Sequence, residues 1–195
     1  MRLRLKPCTA SEVDTLADIS RKTFVTSFES QNNPDDFKVY VDAAFDRNKL
    51  LQEIANPHTF FHFVYQDAEL VGYFKVNVED AQTDIQTPES IELERIYISE
   101  EYQGMGIGKW VLQEVKALAK KMRKEFLWLG VWEDNPKAIE FYERHGFSKF
   151  GTHPYFIGSD KQTDWLMRYD LRNFEGLWKL VIFVEYLNVP WNEPY

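Results

Sequence analysis

Residues 101–110, EYQGMGIGKW, carry three glycines at alternate positions, Gly104, Gly106 and Gly108, directly ahead of a stretch that reads as helix. Glycine destabilises a helix interior by about 1 kcal/mol relative to alanine, so its concentration at a helix start needs a reason. Helix N-termini present unpaired N–H groups and the positive end of the helix dipole. With side chains removed there, an anion can approach the main chain closely. A tight strand-to-helix turn requires one glycine for its backbone angles; three alternating ones exceed that need and point to phosphate. Two phosphate loops fail. A Walker A loop needs glycine five residues before Gly108 and Ser or Thr after Lys109, but Gln103 and Trp110 stand there. A dinucleotide fingerprint needs a third glycine three after the second, and the chain offers Lys109 or Val111. The pattern that fits is Gln/Arg-x-x-Gly-x-Gly/Ala, running from Gln103 to Gly108. Just upstream, Glu92 and Glu94 lie two apart on a predicted strand and therefore share a face. Such a pair can accept a proton or attract a cation, or be two solvated strand glutamates.

The composition narrows the company these residues can keep. The chain has 195 residues, 44% of them hydrophobic, enough for the core of one domain or one domain plus an extension. Its formal net charge of -8 argues against binding nucleic-acid phosphates and is compatible with a cationic ligand. The lone Cys8 excludes a disulfide framework and a multi-cysteine metal site, and His58 and His62 lack a metal-ligand pattern, so no metal is expected. The N-terminal MRLRLKPCTA has no signal-like apolar run, and no stretch is long enough to span a membrane. The expectation is a soluble, cytoplasmic protein.

The elements that must position the loop follow from periodicity. LRLK alternates as a first strand. Ser11, with Asp14 at the capping-box position, is expected to start a helix over 11–28, followed by helices after Asn33-Pro34 and over 47–56. TFFHFVYQDAELVGYFKVNVE reads as a hairpin about a polar turn, and IELERIYIS as the next strand. A helix is expected over 109–123. EFLWLGVW, apolar on both faces, reads as a central strand, and NPKAIEFYERHGF as a helix with Pro136 at its start and Gly146 past its end. SKFGTHPYFIG and KQTDWLMRYDL read as a closing hairpin. The order β-α-α-α-β-β-β-α-β-α-β-β predicts a mixed α/β (α+β) fold, its sheet mainly antiparallel with one strand-helix-strand crossover.

The glycine loop resembles the acyl-CoA pyrophosphate loop of the GNAT superfamily of N-acetyltransferases, and the resemblance runs from residue 2 to about 171. LERIYISEEYQGMGIGKWVLQEV is similar to the family's central strand, loop and helix. LWLGVWEDNPKAIEFYERHGF is similar to its next strand and helix, with the pattern at Asn135, Ala138, Tyr142, Gly146 and Phe147. The segment GTHPYFIGSDKQTDWLM resembles the ending of PaiA-type bacterial acetyltransferases, a branch associated with polyamine acetylation. The resemblance implies a GNAT fold over 1–171 and acetyl-CoA as co-substrate. The strand Ile96, Tyr97, Ile98 would splay from the strand 127–131 to admit the pantetheine arm. The main chain of Gln103, Gly104, Met105, Gly106, Ile107, Gly108 and Lys109 would hold the pyrophosphate, with Asn135 and Ala138 also at the cofactor. A main-chain N–H near Ile98 would polarise the carbonyl.

Tyr142 matches the family's general-acid position; a phenol with a pKa of about 10 can protonate a leaving thiolate. Packing its ring on the core is the plain alternative. The base is expected at Glu94, four residues before Ile98, where spermidine/spermine acetyltransferases carry a glutamate. Glu92, six before, matches the family's histone acetyltransferases. An ordinary Glu, with a pKa of about 4.3, needs burial or a water relay to deprotonate an ammonium. His153 and Asp164, on the closing hairpin, either line the amine site or make structural hydrogen bonds; Phe24 and Phe28 either floor that site or belong to the core. The expected acceptor is a small amine, first of all spermidine or spermine. The alternatives are a protein N-terminus or lysine, or a non-catalytic acyl-CoA-binding regulator. The apolar segment 172–195 extends past the family's usual end and is expected to pack on its own domain or on a partner chain, leaving a homodimer open.

Overall fold

The computed structural model describes residues 2–157 and 160–172. The segment expected as an extension lies, from residue 173 on, outside the described residues. Seven strands form one sheet: β1 (Leu3–Pro7), β2 (Thr59–Gln66), β3 (Glu69–Val78), β4 (Ser90–Ile98), β5 (Phe126–Trp132), β6 (Ser148–Ile157) and β7 (Asp160–Asp170). Their order is β1-β2-β3-β4-β5-β7-β6. Every neighbouring pair is antiparallel except β4 and β5. That parallel pair needs a crossover, and the helix after the glycine loop provides it. The element order and the mainly antiparallel sheet are those expected from the sequence.

Helices α1 (Val13–Phe28), α2 (Pro34–Ala44) and α3 (Arg47–Ala55) cover one face; α4 (Ile107–Lys121) and α5 (Pro136–Arg144) cover the other. Alternation along the strands divides the core. On β3, Phe74, Val76 and Val78 face α4 and α5, whereas Tyr73 joins Val13, Leu16 and Leu50 beneath α1 and α3. Helix α4 buries Ile107, Val111, Leu112, Val115 and Ala119, a stripe at helical spacing. The central position of β5 explains why Leu127, Trp128 and Leu129 are buried in succession.

Two helix starts differ from expectation. The capping box at α1 belongs to Thr9 and Glu12, and a short 3-10 turn, Ala10–Glu12, precedes the helix. The Glu12 carboxylate accepts from the Thr9 N–H at 3.3 Å and from its hydroxyl at 2.9 Å. The shorter Asp14 instead pairs with Arg47 at 2.8 Å. Helix α4 begins at Ile107, two residues early, because Gly106 takes the left-handed conformation (φ 79°) and serves as its N-cap.

Candidate active site

The site begins with an irregularity in β4. Opposite β3, Lys75 faces Arg95 and Val76 faces Leu93, which leaves Glu94 as the extra residue of a β-bulge. The bulge turns consecutive charged side chains toward the α1–α3 face. On its other side β4 pairs with β5 only over Ser90, Ile91 and Glu92. Past Glu92 the two strands part, and the β4 main-chain groups that face β5 have no strand partner.

A cavity of about 490 Å³ occupies this parting. Ile96 and Tyr97 line it from β4, Gly130 and Trp132 from β5, and Asn135, Ala138 and Tyr142 from the turn into α5 and the helix itself. The structure therefore brings Glu92, Glu94, Ile96, Tyr97, Asn135, Ala138 and Tyr142 around one space. Ile98 and the loop 103–109 lie outside that lining. The loop is nonetheless tied to it: Gln103 Nε2 donates to the Ile98 carbonyl at 3.0 Å. Gly104 and Gly106 both require positive φ, 75° and 79°. Two of the three glycines thus serve the turn itself. Gly108 does not; a Cβ there would only touch the Phe141 ring at 3.7 Å. The first bond of α4 runs from Trp110 N–H to the Gly106 carbonyl at 3.1 Å, and no side chain caps the helix. The N–H groups of Ile107, Gly108 and Lys109 therefore have no intrahelical acceptor.

The two glutamates share a face but not an environment. Glu94 is in ion pairs with Lys75 at 2.6 Å and Arg95 at 3.2 Å, and accepts from Asn77 Nδ2 at 2.6 Å. Burial works against its charge, but Arg95 and Lys75 outweigh burial and hold the carboxyl below its ordinary range. Glu92 is 3% exposed and has no cation beside it. It accepts from Thr83 N–H at 2.9 Å, Thr83 Oγ1 at 2.6 Å and Asn77 Nδ2 at 3.0 Å. Burial raises its pKa, with Thr83 and Asn77 opposing and the neighbouring Glu94 charge adding. Of the two, Glu92 is the better proton acceptor near neutral pH.

Tyr142 is buried, and its hydroxyl makes no hydrogen bond among the described residues. Burial alone pushes the phenol well above its ordinary range, so it stays protonated. Asn135 acts locally, its Oδ1 capping α5 by accepting from Ala138 N–H at 3.1 Å. The cavity walls are also aromatic, with Phe24, Phe28, Tyr40, Trp132 and Tyr155, and Lys49 and Arg95 share the lining. Phe24 is at once core and cavity wall. His153 pairs with Asp84 at 3.0 Å. Asp164 lines the cavity close by, with no partner of its own among the described residues.

Sequence reasoning passed over Lys75, Asn77, Thr83, Asp84 and Arg95. A signal existed for the first two. A lysine and an asparagine alternate within the apolar run YFKVNV, and such residues on a central strand are buried polar groups in need of partners. Nothing local marks Thr83 or Asp84, which reach the site from the loop between β3 and β4.

Comparison with known proteins agrees with this geometry. Residues 18–147 match the model of the Acetyltransferase (GNAT) family. An uncharacterized N-acetyltransferase in the pepI 3' region of Lactobacillus delbrueckii subsp. lactis is 39% identical over 150 residues, spanning 77% of this chain and 87% of that protein. The spermidine N(1)-acetyltransferase of Thermoplasma acidophilum is 22% identical, over 75% of this chain and 89% of the relative. In structure, the crystal structure of the PaiA N-acetyltransferase from Thermoplasma acidophilum in complex with coenzyme A superimposes with a TM-score of 0.70 at 21% identity, covering 87% of this chain and 99% of that one. The splayed strands, the glycine-led helix and the family match together place the chain in the GNAT family of acetyltransferases.

Proposed function

We propose that the protein transfers the acetyl group of acetyl-CoA to a primary amine, and that the amine is a polyamine such as spermidine or spermine. The observation that carries the reading is the cavity at the β4–β5 parting, whose lining combines aromatic side chains with two carboxylates, Glu92 and Asp164, that form no ion pair among the described residues, while Arg95 on the same wall is taken by Glu94. The presence of a spermidine acetyltransferase among the distant relatives supports it.

The residues present fit the co-substrate. Unpaired N–H groups at Ile107, Gly108 and Lys109, with glycines that clear the approach, suit a pyrophosphate. The unpartnered edges of β4 and β5 suit the amide groups of a pantetheine arm. Acetyl-CoA supplies a thioester whose carbonyl accepts the amine and whose sulfur leaves. The ammonium must lose one proton before it attacks, and as the adduct collapses its nitrogen sheds a second, which replaces the proton given to the departing sulfur. Glu92 takes the first proton, because its raised pKa makes it a stronger base than an ordinary carboxylate. Glu94, already shared between Lys75 and Arg95, fixes the bulge and its field. Tyr142, kept protonated by burial, gives the sulfur its proton.

Free thiol release from acetyl-CoA tests this, with spermidine, spermine, lysine and a short peptide added in turn. Release with the polyamines, reduced about 10²-fold or more in Tyr142→Phe, is expected. Release with the peptide alone would move the acceptor to protein. Binding of CoA without release for any amine would leave a regulator.

A further inference from the structure

Asp164 is a carboxylate that the folded protein leaves uncompensated. Every other carboxylate on the cavity has a partner. Asp84 has His153, Glu92 has Thr83 and Asn77, and Glu94 has Lys75 and Arg95. Asp164 has no hydrogen bond and no ion pair among the described residues. The groups that face it are His153 on β6, Asp84 on the β3–β4 loop and Glu133 just after β5; only His153 can favour its charge, and His153 is engaged by Asp84. Burial pushes the Asp164 carboxyl up to about 6.

Its seat is built into the central strand. Gly130 is the one exposed position of β5, and the Asp164 carboxylate lies over it. A Cβ at residue 130 would stand 3.3 Å from Asp164 Oδ2. Glycine there leaves room for the carboxylate of Asp164, whose partner across β5 and β7 is Trp132, one of the cavity's aromatic residues. A partly buried, unpaired carboxylate raises the free energy of the empty protein, and a cation that arrives with the ligand removes that penalty. Aromatic faces beside it stabilise the same charge.

We propose that Asp164 is a specificity-determining residue that holds a second cationic group of the acceptor, so that diamines and polyamines are selected over monoamines of the same carbon length. The assignment rests on the amine-acetyltransferase reading above and goes further by giving one residue the choice among amines.

The test compares putrescine with butylamine, which share a carbon chain and differ in the second amine, and adds spermidine. Binding to the CoA-loaded protein is measured by calorimetry, and turnover by thiol release, for the wild type, Asp164→Asn and Gly130→Ala. Loss of one charge-assisted contact should lower the putrescine-to-butylamine ratio of kcat/KM about ten-fold or more in Asp164→Asn, through KM. Gly130→Ala keeps the charge but displaces it, and should lower the same ratio. The wild-type preference should also fade below a pH of about 6, as Asp164 protonates. A ratio unchanged by Asp164→Asn, or equal weakening of putrescine and butylamine, would overturn the assignment. Absence of thiol release with every amine would overturn the acetyl-transfer reading instead, and the calorimetric ratio would then decide Asp164 by itself.

Discussion

Replacing Asp164 by Asn should make the ligand-free protein more stable at neutral pH, which is the reverse of the usual effect of a substitution beside an active site. In the unfolded chain this carboxyl ionises near 3.8, whereas in the folded protein burial holds the proton until about 6. Below 3.8 both states are protonated and the group contributes nothing. Between 3.8 and 6 the unfolded chain loses its proton first, so ionisation increasingly favours unfolding. Above 6 the penalty is complete. The displacement corresponds to about 3 kcal/mol at full burial, and water reaching the partly exposed side chain reduces it to about 1–2 kcal/mol. For a domain of this size that equals about 3–6 °C in melting temperature. Asparagine keeps the shape and removes the charge. Thermal melts of wild type and Asp164→Asn at pH 7.5 and pH 4 should therefore show a gain of that order at the higher pH and almost none at the lower. A gain of equal size at both pH values would mean that the charge is not the cause. A loss at pH 7.5 would mean that Asp164 has a stabilising partner and is not uncompensated, which would refute the reasoning.

Other outcomes follow from the same geometry. Glu92→Gln should lower kcat/KM by about 10²–10⁴-fold and remove the acid limb of the pH–rate profile, since that limb reports the base. Glu94→Gln should act mainly on stability: it leaves Lys75, 5% exposed, with Glu53 at 3.0 Å as its remaining carboxylate, and losing one hydrogen bond between charged groups costs about 1.5–3 kcal/mol in urea titrations. Gly106→Ala forces a side chain into the left-handed region and should destabilise by about 1 kcal/mol. Gly108→Ala should not destabilise the fold. Both should weaken CoA in calorimetry if the ligand reaches the main chain at that helix start, and undiminished CoA affinity in Gly108→Ala would place the pyrophosphate elsewhere.

The succession of elements was legible because it rests on local rules. Alternation in the strands, Pro136 at a helix start, Gly146 past its end and the polar hairpin turn each act within a few residues. The glycine loop was legible for the same reason, although only the backbone angles reveal that Gly104 and Gly106 serve the turn and Gly108 does not. The start of α1 is not legible locally, because Ser11–Asp14 is as plausible a capping pair by type as Thr9–Glu12, and it is Arg47, far along the chain, that claims Asp14.

By itself the sequence determined the family, the order of the elements along the chain, the glycine-led helix start and the residue types available for proton transfer. Only the tertiary structure decided what those residues are. Glu92 and Glu94 are the same residue type on the same strand. A bulge, Arg95 and Lys75 make Glu94 a weak base, while burial without a cation makes Glu92 a stronger one, against the hydrogen bonds from Thr83 and Asn77. Asp164 and His153 stand opposite each other across a hairpin, yet His153 turns to Asp84 and leaves Asp164 alone. A side chain's chemistry is set by the charges and the burial that distant segments bring to it, and one-dimensional spacing carries no record of either.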